Sequence, residues 1–134
     1  MSPPQENADG LKTIGSLRYS LRAEPGYALL VYEGAPATIT AADVWQRDID
    51  AFLRACHLTR VLWDSRNADP LPPPVRAHTW AWLTRAEVVK VSAIVVRSEL
   101  LRISGNMSSV GGQLRLRSFH ELGEAVEWLL RQRP

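Results

Sequence analysis

The side chains able to do chemistry are few and widely spaced. His57, His78 and His120 are the histidines, and Cys56 is the single cysteine. No histidine stands one helical turn from a second ligand in a pattern such as H-E-x-x-H, so no metal site is expected. His57 closes an apolar stripe, where an imidazolium suits the negative end of a helix. His120 opens a later stripe beside Glu121. Ser65, His78 and Asp69 carry the groups of a nucleophilic triad, but no G-x-S-x-G elbow surrounds the serine. A hydrolase therefore ranks third among the readings. Gly105, Gly111 and Gly112 form neither a phosphate-binding loop nor a dinucleotide fingerprint, so no cofactor is expected. Cys56 shares a stripe with Phe52 and Leu53 and reads as a small buried hydrophobe.

A better candidate begins at Asp64. Asp64, Ser65 and Arg66 follow a short apolar strand, and open α/β sheets bind ligands beyond the carboxyl ends of their strands. A proline-rich loop carrying Leu71 comes next, then a helix carrying Arg76, Trp80 and Trp82. Trp80 and Trp82 are about 200° apart around a helix, so they cannot both face one sheet. Trp82 fits the buried stripe, which leaves Trp80 as a contact residue beside Leu71 and Arg76. Residues 71–80 are expected to line a small apolar pocket or a homodimer contact. The candidate set is Asp64, Ser65, Arg66, Leu71, Arg76, Trp80 and Met107.

Composition bounds what these residues can serve. The chain has 134 residues, one domain's worth, and a formal charge of +2. So small a charge does not favour nucleic acid. Arg97, Arg102, Arg115 and Arg117 read instead as protection for a sheet edge. One cysteine excludes an intramolecular disulfide and fits a reducing compartment. The first dozen residues lack the apolar core of a signal peptide. The longest apolar runs, residues 27–32 and 91–96, fall far short of the roughly 20 residues that span a bilayer. A cytoplasmic protein is the expectation. Residues 1–13 are polar and are expected to be a mobile tail before one domain over residues 14–134.

The elements that must position the candidate set follow from periodicity. Leu17, Tyr19 and Leu21 alternate with polar residues, and a Pro25-Gly26 turn leads to a second strand over residues 27–32. Thr40 is expected to cap a helix whose stripe is Trp45, Ile49, Phe52, Leu53 and Cys56. A strand over residues 61–63 ends at Asp64. The next helix starts near Pro74 and buries Val75, Thr79, Trp82 and Leu83. Residues 88–96 form a central parallel strand, residues 98–103 a short helix, and Leu114 and Leu116 an edge strand with a basic outer face. Ser118 and Glu121 predict a capping box for a last helix burying Leu122, Ala125, Val126 and Leu129. The order predicts an α/β fold, a mixed sheet of about five strands with about four helices, opening on an antiparallel hairpin.

Several of these segments carry a resemblance. Tyr32-Glu33-Gly34 ends the hairpin, Thr40-Ala41-Ala42-Asp43 opens the first helix, Trp63-Asp64-Ser65-Arg66 ends the middle strand, and Phe119-His120-Glu121-Leu122-Gly123-Glu124-Ala125-Val126-Glu127-Trp128-Leu129 closes the chain. Over roughly residues 17–132 this resembles the anti-sigma-factor antagonist (STAS) superfamily, in its stand-alone bacterial branch. The resemblance implies a regulatory or protein-interaction module without enzymatic activity, partnered by a regulatory protein, a kinase or a second copy of itself. It implies Ser65 as the phosphorylated position, where a charge of about −1.5 to −2 would break a docking surface. Arg66, Asn67 and the triple proline stand where the superfamily's D-S-S-G context would continue. Docking is expected through the loop and helix after Asp64. The alternative is a small apolar ligand held at the same sheet edge.

Overall fold

Alternating side chains turn the first third of the chain into a meander. The computed structural model describes residues 4–7, 10–85, 87–98 and 115–133. Strands β1 (Gln5–Glu6), β2 (Lys12–Ile14), β3 (Leu17–Glu24) and β4 (Tyr27–Gly34) pair in succession, all antiparallel. Helix α1 (Ile39–Cys56) then crosses to β5 (Arg60–Ala68), helix α2 (Pro73–Arg85) leads to β6 (Val91–Val95), and β7 (Leu116–Phe119) precedes α3 (Leu122–Arg131). From β4 to β7 every pairing is parallel, and spatial order equals chain order. The expected mixed α/β sheet is present, with seven strands and three helices among the described residues.

The two added strands lie where a tail was expected. Gln5 pairs with Thr13, and Lys12 with Tyr19, through backbone groups that need no apolar side chain. The ammonium of Lys12 also reaches both oxygens of Asp48 on α1, at 3.1 and 2.9 Å. The buried Tyr19 hydroxyl donates to the same carboxylate at 2.6 Å. Composition alone conceals this clamp, because it depends on a helix that comes later in the chain.

Other boundaries also move. Thr38, not Thr40, caps α1: its backbone is extended and its hydroxyl accepts from the Ala41 amide at 3.1 Å. Ala42 N–H bonds to the Thr38 carbonyl, so the helix starts earlier than its apolar stripe. Ser118 is not the N-cap of α3, a position that Glu121 takes. Ser118 lies buried in β7 opposite Ile94, and Glu121 precedes α3 without a side-chain cap. Strand β5 continues past Asp64 because β4 remains extended beside it, pairing Glu33 with Asn67 and Gly34 with Ala68. Polar residues 65–67 are therefore strand and not loop. The short helix expected over residues 98–103, the Gly111-Gly112 turn, Leu114 and Met107 fall on or run into residues outside those described.

Two glycines are required by the backbone. Gly26 (φ +87°) makes the β3–β4 turn. At Gly34 (φ +72°) a Cβ would lie 2.2 Å from the Ser16 carbonyl oxygen, so only glycine lets the chain leave β4 here.

The sheet separates two apolar layers. Leu17, Tyr19, Leu30, Val61 and Trp63 face α1 and α2, where Trp45, Ile49, Leu53, Trp82 and Leu83 meet them. Leu62, Val91, Ala93, Val95 and Phe119 face α3 and its Ala125 and Leu129. Full burial of each valine, leucine, isoleucine or phenylalanine among them contributes about 1.5–3 kcal/mol.

Candidate functional site

Alternation along β5 decides which candidates can meet. Val61 and Trp63 face α1 and α2, whereas Leu62 faces α3. Asp64 follows Leu62 to the α3 side and Ser65 follows Trp63 to the other. The sequence-based set is thus divided by the sheet.

On the α3 side, Asp64 is buried and engaged. Arg66 clasps it through Nε at 2.8 Å and Nη2 at 2.7 Å, and the Arg66 amide adds a longer bond at 3.3 Å. The guanidinium bonds hold the Asp64 carboxyl below the ordinary range against the opposing effect of burial. A carboxylate so occupied is a strand-end clamp and a poor proton acceptor.

On the other side lies a cavity of about 640 Å³ between α2 and the sheet. Its origin is local. Pro73 opens α2 after a loop that carries two further prolines, Pro70 and Pro72, and the Arg76 amide bonds back to the Pro72 carbonyl at 2.8 Å. Val75, Trp82 and Leu83 are buried, but Ala77 and Trp80 occupy other faces of the helix. Its apolar residues do not form one stripe that could close onto the sheet. Helix α2 instead leans on α1, where His78 Nε2 meets Asp43 Oδ1 at 2.6 Å. Trp45, Trp63, Trp80, Leu71, Leu83, Ile94 and Leu116 provide most of the apolar wall, with Tyr32, Arg76 and Thr79 as polar members.

The wall is braced by aromatic rings. Trp45 packs against Tyr32 (centroids 5.1 Å apart) and stands edge-on to Trp63 at 6.0 Å, which in turn stands edge-on to Trp82 at 6.2 Å. Trp63 donates its indole N–H to Ser92 Oγ at 3.0 Å. Trp45 is 3% exposed, yet its N–H has no partner among the described residues, and the same is true of the buried Thr79 hydroxyl. The Tyr32 hydroxyl and Ser65 Oγ share a hydrogen bond of 2.7 Å. Burial pushes the Tyr32 hydroxyl above its ordinary pKa, an effect the Ser65 bond opposes and the nearby Asp64 charge reinforces.

The cavity unites Leu71, Arg76 and Trp80 from the candidate set, and Ser65 bonds to one of its walls through Tyr32. Asp64 and Arg66 belong to the opposite face. Two of the three groups of the nucleophilic triad are engaged elsewhere: His78 with Asp43, and Ser65 with Tyr32. Among the described residues no cluster of His, Cys, Asp and Glu could hold a metal. No helix among them is long and apolar enough to cross a membrane. The basic edge is β7, where Arg117 is exposed and lies over the Phe119 ring at 5.4 Å.

Sequence reasoning placed Trp45 and Trp63 in the core and missed that they also line a space. The available signal was the count of five tryptophans in 134 residues. Rings so large and rigid leave gaps that small side chains must fill.

No family model and no curated protein matches the sequence. Solved structures do. An uncharacterized DUF3478-family protein with a SpoIIAA-like fold from Shewanella loihica PV-4 superposes with a TM-score of 0.64 at 15% identity, over 87% of this chain and 96% of that one. An anti-sigma factor antagonist from Mycobacterium paratuberculosis gives 0.59 at 14% identity, over 93% and 98%. The anti-sigma factor antagonist SpoIIAA in its unphosphorylated form gives 0.57 at 11%, over 86% and 99%. The fold is SpoIIAA-like, that is, STAS-like.

Proposed function

We propose that this chain is a non-enzymatic binding module that holds a small, largely apolar molecule between α2 and the sheet. The observation that carries the reading is the 640 Å³ cavity walled by tryptophans. Its volume lies within the roughly 300–1,000 Å³ of small-molecule sites, and apolar walls with a few polar groups are their usual composition. The test uses phenylnaphthylamine, an uncharged dye that brightens in apolar surroundings. Its fluorescence should rise saturably with the wild-type protein. Ala77→Phe adds a ring at the exposed, cavity-lining face of α2 and should weaken binding at least tenfold. Equal binding to both proteins, or none to the wild type, would overturn the reading.

A second reading is favoured by one observation: Trp80 is 37% exposed, on the helix that follows the β5–α2 loop. On this reading the loop and α2 dock a protein, either a regulatory partner or a second copy of the chain. The likeness to anti-sigma factor antagonists supports it at the level of fold. Phosphorylation of Ser65 would act on the same face, because the phosphate would displace the Tyr32 hydroxyl and set new negative charge near Asp64.

A further inference from the structure

We infer that the ligand of the α2 cavity is a flat aromatic carboxylate with a hydroxyl or carbonyl oxygen at its far end. The inference rests on the reading of the cavity as a ligand site and adds the chemistry that would be selected there. Three features specify it. The walls include the indoles of Trp45, Trp63 and Trp80, large flat surfaces against which aromatic rings pack offset or edge-on.

The second feature is a pair of buried polar groups left without protein partners. The Trp45 indole N–H can only donate, and the Thr79 hydroxyl can donate or accept. Both residues line the cavity. A buried donor left unsatisfied is costly, so a ligand oxygen that accepts from it recovers that energy on binding. A purely hydrocarbon ligand would leave both groups unsatisfied.

The third feature is charge. Among the described residues Arg76 is the only charged side chain lining the cavity. Its guanidinium makes a long hydrogen bond, Nη2 to the Leu71 carbonyl at 3.4 Å, and forms no ion pair among the described residues. Arg76 is exposed, so its guanidinium sits at the solvent side, whereas Trp45 is buried. A carboxylate would meet the planar fork of Arg76, and the oxygen at the other end of the molecule would meet the indole N–H.

Calorimetric titration with three related probes separates the contributions. One is a naphthoate with a hydroxyl on the far ring, one is naphthoate itself, and one is naphthol. The hydroxynaphthoate should bind tightest. Arg76→Ala changes an exposed helical residue, and it should weaken both acids about tenfold while leaving naphthol unchanged. Trp45→Phe removes the N–H and keeps a ring; it should weaken hydroxynaphthoate and naphthol about tenfold and leave naphthoate unchanged. If the three probes bind alike and neither substitution discriminates among them, the ligand class is wrong and the apolar cavity reading stands. If none of the three binds, and phenylnaphthylamine does not either, the cavity reading itself fails. Should Trp45→Phe not fold, the Arg76→Ala comparison alone decides whether an acid is preferred.

Discussion

Asp64 shows how one residue's role depends on which side of a strand it takes. Its position at the carboxyl edge of a parallel strand suggests a ligand contact, but its two oxygens are held by Arg66 at 2.8 and 2.7 Å. Removing the carboxylate leaves a guanidinium without its partner. Asp64→Ala is expected to lower stability at neutral pH by about 1–3 kcal/mol, read by urea unfolding. The pH dependence has a definite sign. The folded-state pKa is depressed, so the contribution is fully present above the unfolded carboxylate value of about 3.9 and is lost as pH falls through the folded value. Wild type and Asp64→Ala should therefore converge in stability under strongly acidic conditions. A gap that stays constant down to low pH would exclude the clamp as its source. Ser65, one position on, has the opposite orientation, and its hydroxyl belongs with Tyr32.

The end of α1 sets where β5 begins. His57 takes a left-handed conformation (φ 54°, ψ 42°), its amide bonds to the Arg54 carbonyl, and Leu58 N–H reaches back to Leu53 at 3.0 Å. A side chain in this region is strained, by about 1–2 kcal/mol for a non-glycine residue, and glycine is the usual occupant. His57→Gly relieves the strain at the expense of a more flexible unfolded chain. A net gain of about 0.5–1 kcal/mol is expected, seen as a higher thermal midpoint. A lower midpoint would mean that the imidazole makes a stabilising contact. Helix α2 behaves differently from α1. The stripe of α1 is continuous and closes on the sheet, whereas α2 places Trp80 and Trp82 on different faces and stays propped on α1 through His78 and Asp43. The cavity is the consequence of that mismatch.

At the scale of the molecule, the sheet joins an antiparallel half that ends in the Lys12–Asp48–Tyr19 clamp to a parallel half that carries the cavity. The face bearing Trp80 is where association would occur. On the docking reading, sedimentation at high concentration should show wild-type self-association that Trp80→Ala abolishes and Ser65→Asp weakens. A wild type that stays monomeric at every concentration would remove the second-copy form of that reading. The sequence by itself determined the order of the main elements, the mixed sheet and the exposure of Trp80, because these follow from local periodicity and from turn chemistry at Pro25-Gly26. It also singled out Leu71 and Arg76. Only the tertiary structure decided the rest. The leading strands pair through backbone atoms, which leave no mark on side-chain pattern. Strand β5 outlasts its apolar run because β4 lies beside it. Asp64 and Ser65 part company because side chains alternate across a sheet. The cavity exists because three rigid indoles from α1, β5 and α2 meet without filling the space between them, a property of their packing that no single segment contains.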